Sequence, residues 1–355
     1  MKYVEFANEI FTMNQFEKFY KKCYFEHFEG AKNNIPFSNS EFEEIVKSHY
    51  PEKYVNSCEL TYLPEEFMDE SQFISGNEKN NIIIMKHNRY TPVFYHKHSF
   101  FEFIVVLKGT CEHYINNTTI TIKVGDMCLV PPNVYHSLSV FSDCVVLNVL
   151  IRRKFFENIL FEFFDDDNAF SNFIKHALYN NKFDNYLSFH TDNDEDITAL
   201  ILDMYIEYQL NERFSKQIIE NECVIVFSKL QREQCVEEKY GEVINTDIDF
   251  SNELIRYIDI NFADVTLEEV ASHFNYAPAY ASKKIKQTLG CTFNEILRKI
   301  KINKAKQLLV NTGKSIIYIS EYLGYRNSEN FIRIFKRETG ESPVQYRENK
   351  KGRYR

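Results

Sequence analysis

Nowhere in this 355-residue chain is there a run of uncharged apolar residues long enough for a membrane helix, which needs roughly 18. No span is therefore expected. The opening MKYVEFANEIF also lacks the unbroken apolar core of a secretion signal, because Glu5 and Glu9 fall inside it. The eight cysteines (Cys23, Cys58, Cys111, Cys128, Cys144, Cys223, Cys235 and Cys291) include no CxxC pair. Scattered cysteines of this kind predict reduced thiols in a cytoplasm. A basic balance is missing as well, since the formal net charge is −9.

Length and a hydrophobic fraction of 44% allow two or three domains with buried cores. The charge is unevenly spread. Residues 251–355 hold 19 Lys and Arg against 11 Asp and Glu, a net of +8, which leaves −17 on the other 250 residues. The basic end suits phosphates, while the acidic bulk would be repelled by them. A solvated imbalance explains the same numbers, so motifs must decide.

Residues 1–75 read as a helical extension rich in Phe and Tyr. From Asn81 the texture changes. NIIIMKH, FEFIVVLKG, CEHYINNTTITIKV, DMCLVPP and DCVVLNVLI are short and β-branched, with Gly, Pro and Asn between them, as strands are. Asn116-Asn117 suits a hairpin turn. An antiparallel β-barrel is expected over 76–152. Helical spacing returns from Lys154, and DEDITALILDMYIEYQLNERF places apolar residues at 197, 200, 201, 204, 205 and 208 on one stripe. The span 153–236 is expected to be a helical region carrying dimer contacts. The polar EEKYGEVINTDID (237–249) reads as a linker, and 250–350 as an all-α domain. The fold class is α+β multidomain.

The last domain is the most explicit. Thr266 stands three residues before Glu269, the spacing of a capping box, and Leu267, Val270, Ala271 and Phe274 form one apolar face. NYAP interrupts, Pro278 suits the first turn of a new helix, and AYASKKIKQTL runs to Gly290, a C-cap. FNEILRKIKINKAKQLL follows. The plan then repeats: Ser315 caps IIYISEYLG, Gly324 breaks it, Ser328 caps ENFIRIFKRETG and Gly340 stops it. Two tandem helix-turn-helix units result, each with a second helix sized for a major groove. In the second unit Phe331, Ile334 and Phe335 fasten the helix to its core. Ser328, Glu329, Ile332 and Arg333 face a partner, and Lys336 and Arg337 suit backbone phosphate.

The stretch IIYISEYLGYRNSENFIRIFKRETGESPVQYR resembles the AraC family of bacterial transcription regulators, and among the strong positions only Ser320 departs. Ala281 and Ile285 stand where the family usually has Leu and Phe. The resemblance covers 250–349 and implies binding to double-stranded promoter DNA, usually as an activator. Its base-facing positions would be Ala279, Ser282 and Lys283, with Lys286 beside them, then Ser328, Glu329, Ile332 and Arg333. Lys283 and Arg333 suit guanine O6/N7, Glu329 suits cytosine N4, and Ile332 and Ala279 suit thymine methyls. A homodimer and RNA polymerase are the further partners implied.

HKHSFFEFIVVLKG spaces His96, His98, Glu102 and Gly109 as H-x-H-x3-E-x6-G, and GDMCLVPPNVYH adds Gly125, Pro131 and His136. Alternation along a strand puts His96 and His98 on one face. Three imidazoles and a carboxylate are a sound ligand set for Zn, Mn, Fe or Ni. Both stretches are similar to the two motifs of the cupin superfamily, with Asn133 replacing the second motif's usual Gly. Joined to an AraC-type domain, a cupin-like barrel implies a sensor for a small-molecule effector. Three roles stay open for His96, His98, Glu102 and His136: holding a divalent metal, binding a sugar or other polar effector, or bracing the barrel. Tyr95, Tyr114 and Tyr135 offer stacking faces for a sugar, and Arg89 a partner for a carboxylate.

The expected protein is a ligand-responsive regulator and not an enzyme, needing no cofactor unless the histidines hold a metal. One alternative is a metal-dependent cupin enzyme, such as an isomerase or dioxygenase, tethered to DNA. No distinct general acid or base stands out for it. The other is a ligandless regulator governed by a protein partner through 1–75 or the middle helices.

Overall fold

The computed structural model describes residues 6, 8–50, 66–73, 80–163, 168–192, 194–232, 236–239 and 245–351. In chain order the helices are α1 (Gln15–His27), α2 (Asn39–His49), α3 (Glu70–Phe73), α4 (Arg153–Phe163), α5 (Ala169–Tyr179), α6 (Glu195–Leu210), α7 (Ser215–Arg232), α8 (Asn245–Ile260), α9 (Leu267–His273), α10 (Pro278–Leu289), α11 (Phe293–Asn311), α12 (Ile316–Tyr322), α13 (Ser328–Thr339) and α14 (Pro343–Lys351). The strands are β1 (Phe67–Met68), β2 (Ile82–Lys86), β3 (Lys97–His98), β4 (Phe101–Lys108), β5 (Thr110–Ile115), β6 (Thr118–Lys123), β7 (Asp126–Val130), β8 (His136–Ser139), β9 (Val145–Ile151), β10 (Tyr186–His190) and β11 (Val236–Lys239). Two compact units form: Met1–Arg153 with Asp184–Gly241, and Lys154–Phe183 with Glu242–Arg355. Among the described residues no helix is long and apolar enough to cross a membrane.

In the first unit a six-stranded sheet runs β11-β10-β7-β4-β9-β2 and a three-stranded sheet runs β6-β5-β8, with a small parallel pair β1-β3. Inward residues of both larger sheets, including Ile104, Ile115, Ile122, Val130, Leu138 and Val146, share one core. The β5–β6 turn has φ 51 at Asn116 and φ 60 at Asn117. Two positive φ values define the tight hairpin turn that matches strand twist, and Asn tolerates them. Helices α1 and α2 each begin with a complete capping box, Asn14 with Glu17 and Ser38 with Glu41. They pack through Phe19, Tyr24, Phe37 and Phe42 around Tyr90.

Three expectations need correcting. The described strands pair as open sheets, not as one closed barrel ladder. The span 153–236 is not wholly helical. Tyr186–His190 forms β10, antiparallel to β7 with Leu187 opposite Leu129, and 154–183 joins the second unit. A five-residue strand owes its existence to a distant partner, so helical spacing around it hides it. The strand β11 takes in the first three residues of the expected linker and pairs with β10, and α8 already starts at Asn245.

Candidate DNA interface and effector cavity

In the second unit Thr266 and Glu269 complete both bonds of the capping box ahead of α9. Pro278 occupies the first turn of α10, and Gly290 closes it at φ 66. Ser315 caps α12, accepting from the Tyr318 amide. Asn327, not Ser328, caps α13: its extended backbone offers the side-chain oxygen one residue earlier, to the Asn330 amide. Gly340 closes α13 at φ 79.

These caps fix which face of each helix is left outside. Ala281, Ile285 and Leu289 bury one side of α10, while Ala279, Ser282, Lys283 and Lys286 are exposed. The departures at Ala281 and Ile285 still fill the core, at 1% and 0% exposure. On α13, Phe331 and Phe335 are buried, Ser328 is half-buried, and Glu329, Ile332, Arg333, Lys336 and Arg337 are exposed. Arg333 donates to Asn330 Oδ1 at 3.0 Å, which extends its side chain along the helix face. Arg337 pairs with Glu338, whose carboxylate also lies 3.0 Å from Arg298 Nε. Arg337 is therefore partly neutralised at home, and a phosphate would compete with Glu338 for it.

The first unit holds a partly open cavity of about 300 Å³. His87, His96, Glu102, His136 and Asn148 line one part of it. Met68, Met85, Phe94, Phe100, Leu138 and Leu150 form an apolar wall, and Gln72, Lys86, Asn88 and Thr91 add further polar groups. His96, Glu102 and His136 are all buried and offer ligand atoms within 4.8 Å of one another. His98 is not a lining residue. Its Nδ1 donates to the Phe100 carbonyl at 2.7 Å, so its other nitrogen, Nε2, faces Glu102 Oε2 at 3.6 Å. His136 Nε2 lies 3.4 Å from the same oxygen, and His136 Nδ1 meets His113 Nε2 at 3.1 Å.

Burial dominates the electrostatics. It lowers His96 and His113 to about 4 and holds His136 well below the usual imidazole range, so these rings are neutral near pH 7. Burial also pushes the Glu102 carboxyl up, but His98 and the neighbouring imidazoles outweigh it and leave Glu102 lowered. Several buried polar atoms have no protein partner: His87 Nε2, His96 Nδ1, His98 Nε2, His136 Nε2 and Asn148 Oδ1. Such atoms cost free energy unless something binds them.

Of the four residues grouped from the sequence, His96, Glu102 and His136 meet at the cavity, while His98 lies behind Glu102 and does not line it. Tyr95 and Tyr114 do not line the cavity. Each adjoins an inward histidine, His96 or His113, so alternation turns it outward. Their rings meet edge-on at 4.9 Å, and Tyr95 stacks on Tyr135 at 5.8 Å. Arg89 is unavailable to a ligand: its Nε donates to the buried Glu17 carboxylate at 2.7 Å. The missed residues are His87, His113 and Asn148. A signal existed for two of them, because Asn148 is the one polar residue in VVLNVLI and His113 alternates with Cys111 and Ile115.

Comparison with known proteins agrees with this division. Residues 83–221 match the AraC-like ligand binding domain, and residues 270–349 match a helix-turn-helix domain. The chain is 24% identical over 262 residues to the transcriptional activator RhaS of Klebsiella pneumoniae, covering 72% of this chain and 87% of that one. It is 36% identical over 102 residues to the transcriptional regulator YtdP of Bacillus subtilis, spanning 28% of this chain but only 13% of that protein. Among solved structures, the C-terminal domain of AraT from Geobacillus stearothermophilus is 40% identical, covering 28% of this chain and 84% of that one, with a TM-score of 0.27. Fatty-acid-bound ToxT of Vibrio cholerae is 17% identical over 76% of this chain and 97% of its own, with a TM-score of 0.31.

Proposed function

The chain belongs to the AraC family of transcription regulators, and on that premise we propose that its effector binds in the cavity bordered by His96, Glu102 and His136. It is a ligand-responsive DNA-binding regulator, and its similarity to RhaS supports reading it as an activator. Double-stranded promoter DNA meets Ala279, Ser282, Lys283 and Lys286 on α10. On α13 it meets Ser328, Glu329, Ile332 and Arg333, with Lys336 and Arg337 at the phosphates. The exposed set on each helix, opposite a buried apolar set, is the observation that carries this reading.

The cavity suggests the effector's chemistry. Lys86 is the lysine at its wall, and its ammonium is spent on Glu17 at 2.8 Å and the Thr12 carbonyl at 2.6 Å. What remains inside is one carboxylate, imidazoles, the amides of Gln72, Asn88 and Asn148, the Thr91 hydroxyl and an apolar wall. That combination suits a small molecule with hydrogen-bond-donating groups at one end and an apolar body. A carboxylate effector would meet Glu102 head-on. A sugar is compatible with the polar end, but has no apolar body for Phe94 and Phe100. Such a ligand shifts DNA occupancy only by its differential affinity for two arrangements of the chain.

A second reading keeps the metal. The unpartnered nitrogens of His96 and His136, with Glu102, are a fitting donor set for a divalent first-row ion. When bound, such an ion would supply a Lewis-acidic anchor for an oxygen of the effector. His98 would orient Glu102. We read the chain as a regulator under either occupancy, and as a homodimer through α6 and α7, where Phe214, Ile218 and Ile225 are exposed at 57%, 40% and 45%. RNA polymerase is the further partner.

Three measurements test this. Titration of promoter fragments should give salt-sensitive, sequence-selective binding; its absence ends the regulator reading. A thermal-shift screen should favour small amines and phenols over carboxylates, and the reverse order would sink the assigned effector chemistry. Elemental analysis of purified protein decides between the occupants.

A further inference from the structure

The turn Asn180–Phe183, which follows α5, lies at the C-terminal end of the first reading helix, α10. The Asn181 amide donates to the Leu289 carbonyl at 2.9 Å, and Lys182 Nζ donates to the Gln287 carbonyl at 2.7 Å. Both carbonyls belong to the last turn of α10, where no amide within the helix can reach them. Gly290 takes the Lys286 carbonyl in the usual way. The Lys182 ammonium therefore sits at the negative end of the helix dipole, where a cation is favoured.

The turn is seated deliberately. A β-carbon on Gly290 would come within 3.0 Å of Lys182 Cγ and 3.4 Å of Asn181 Cβ, so glycine serves both the left-handed φ and the room for the turn. Behind it, Lys299 Nζ donates to Asn181 Oδ1 at 3.3 Å, and Cys291 Sγ donates to the Tyr179 carbonyl at 3.3 Å. These ties fix a segment that lies outside both the 270–349 helix-turn-helix match and the expected 250–350 domain.

We infer that Lys182 is a positioning residue for DNA recognition, holding the C-terminal end of α10 so that Ser282 and Lys283 present their side chains at the correct tilt. A 12-residue helix is stiff, so fixing one end orients the other. The apolar face of α10 is already anchored by Ala281, Ile285 and Leu289. Lys182 is exposed and adds little stability. What it adds is orientation, and base readout tolerates errors of only about 0.5 Å.

This rests on α10 being a reading helix, and the test separates the two claims. The full chain selects a duplex from a random pool, and footprinting shows which base pairs it covers. The wild type should cover two groove segments; a single segment removes the premise and the inference with it. With two segments covered, Lys182→Ala should bind about three- to tenfold more weakly. Base changes in the α10 segment should then matter less than in the wild type, while those in the α13 segment matter as before. Lys182→Arg should restore both affinity and discrimination. Unchanged binding, or equal loss of discrimination in both segments, overturns the inference while leaving α10 as a reading helix.

Discussion

The carbonyl oxygen of Ala263 occupies the place where a β-carbon on Gly324 would stand. Gly324, at φ 73, turns the chain between α12 and α13, and Ala263 lies in the loop before α9. Lys301 Nζ donates to the same carbonyl at 3.1 Å, with its ammonium 5.2 Å from the Tyr325 ring centre. The turn of the second helix-turn-helix is thus seated against the loop that precedes the first, backbone against backbone.

Gly324→Ala should therefore cost more than Gly340→Ala. Both residues adopt left-handed φ, 73 and 79, but a β-carbon at Gly340 meets nothing within 4 Å. Left-handed strain alone is about 1 kcal/mol. At Gly324 the displaced Ala263 backbone should raise the loss above about 2 kcal/mol. Thermal unfolding of the two variants gives the comparison, and equal losses would mean that the carbonyl contact carries no weight.

Arg333 and Lys336 should fail differently. Arg333 stands among the exposed base-facing side chains of α13, and Lys336 one turn on toward the C-terminus. Arg333→Ala should cost about 1–3 kcal/mol on the selected duplex and relax discrimination at one base pair. Lys336→Ala should weaken all sequences alike and lower the salt slope by about 1. Anisotropy titrations over a range of salt, on matched and mismatched duplexes, distinguish them. Identical salt slopes would remove Lys336 from the phosphate contacts.

Local features of the sequence were readable, and distant ones were not. Thr266, Pro278, Gly290, Ser315 and Gly340 act on neighbours within a turn, so their spacing reveals the helices they bound. Asn116-Asn117 reveals its hairpin for the same reason. Asn327 displaced Ser328 because both are good caps and only backbone geometry chooses between them. Tyr95 and Tyr114 went wrong through register, since one residue reverses the face. Tyr186–His190 and Lys182 are defined by partners far along the chain, so no local pattern announces them.

Acid should unfold the first unit partly through Glu17. This carboxylate is fully buried; burial raises its pKa, but hydrogen bonds from Arg89 and Lys86 outweigh that and hold it at about 2, against an ordinary 4.5. A depressed carboxylate stabilises above the unfolded pKa. That stability, on the order of 3 kcal/mol, should be lost as pH falls from 4.5 to 2. Glu17→Gln should remove this share of the pH dependence, leaving that of the other depressed carboxylates such as Glu102. It should also cost about 3–5 kcal/mol at neutral pH, because Arg89 and Lys86 lose their buried counter-charge. Circular dichroism against pH reads both effects, and an unchanged acid profile in the variant would sink the assignment.

Glu102 separates a binding site from a brace. His98 Nδ1 is committed to the Phe100 carbonyl, so its unpartnered Nε2 faces the Glu102 carboxylate 3.6 Å away. Only a shared proton or a bound cation or donor satisfies that pair. Glu102→Gln puts an amide donor opposite His98 Nε2 and removes the charge. The unliganded variant should melt at the same temperature or higher, by up to about 1 kcal/mol of added stability, while the thermal shift produced by the effector or by a divalent ion disappears. If the variant instead melts lower and keeps its ligand shift, Glu102 holds the sheet together and does not bind the effector.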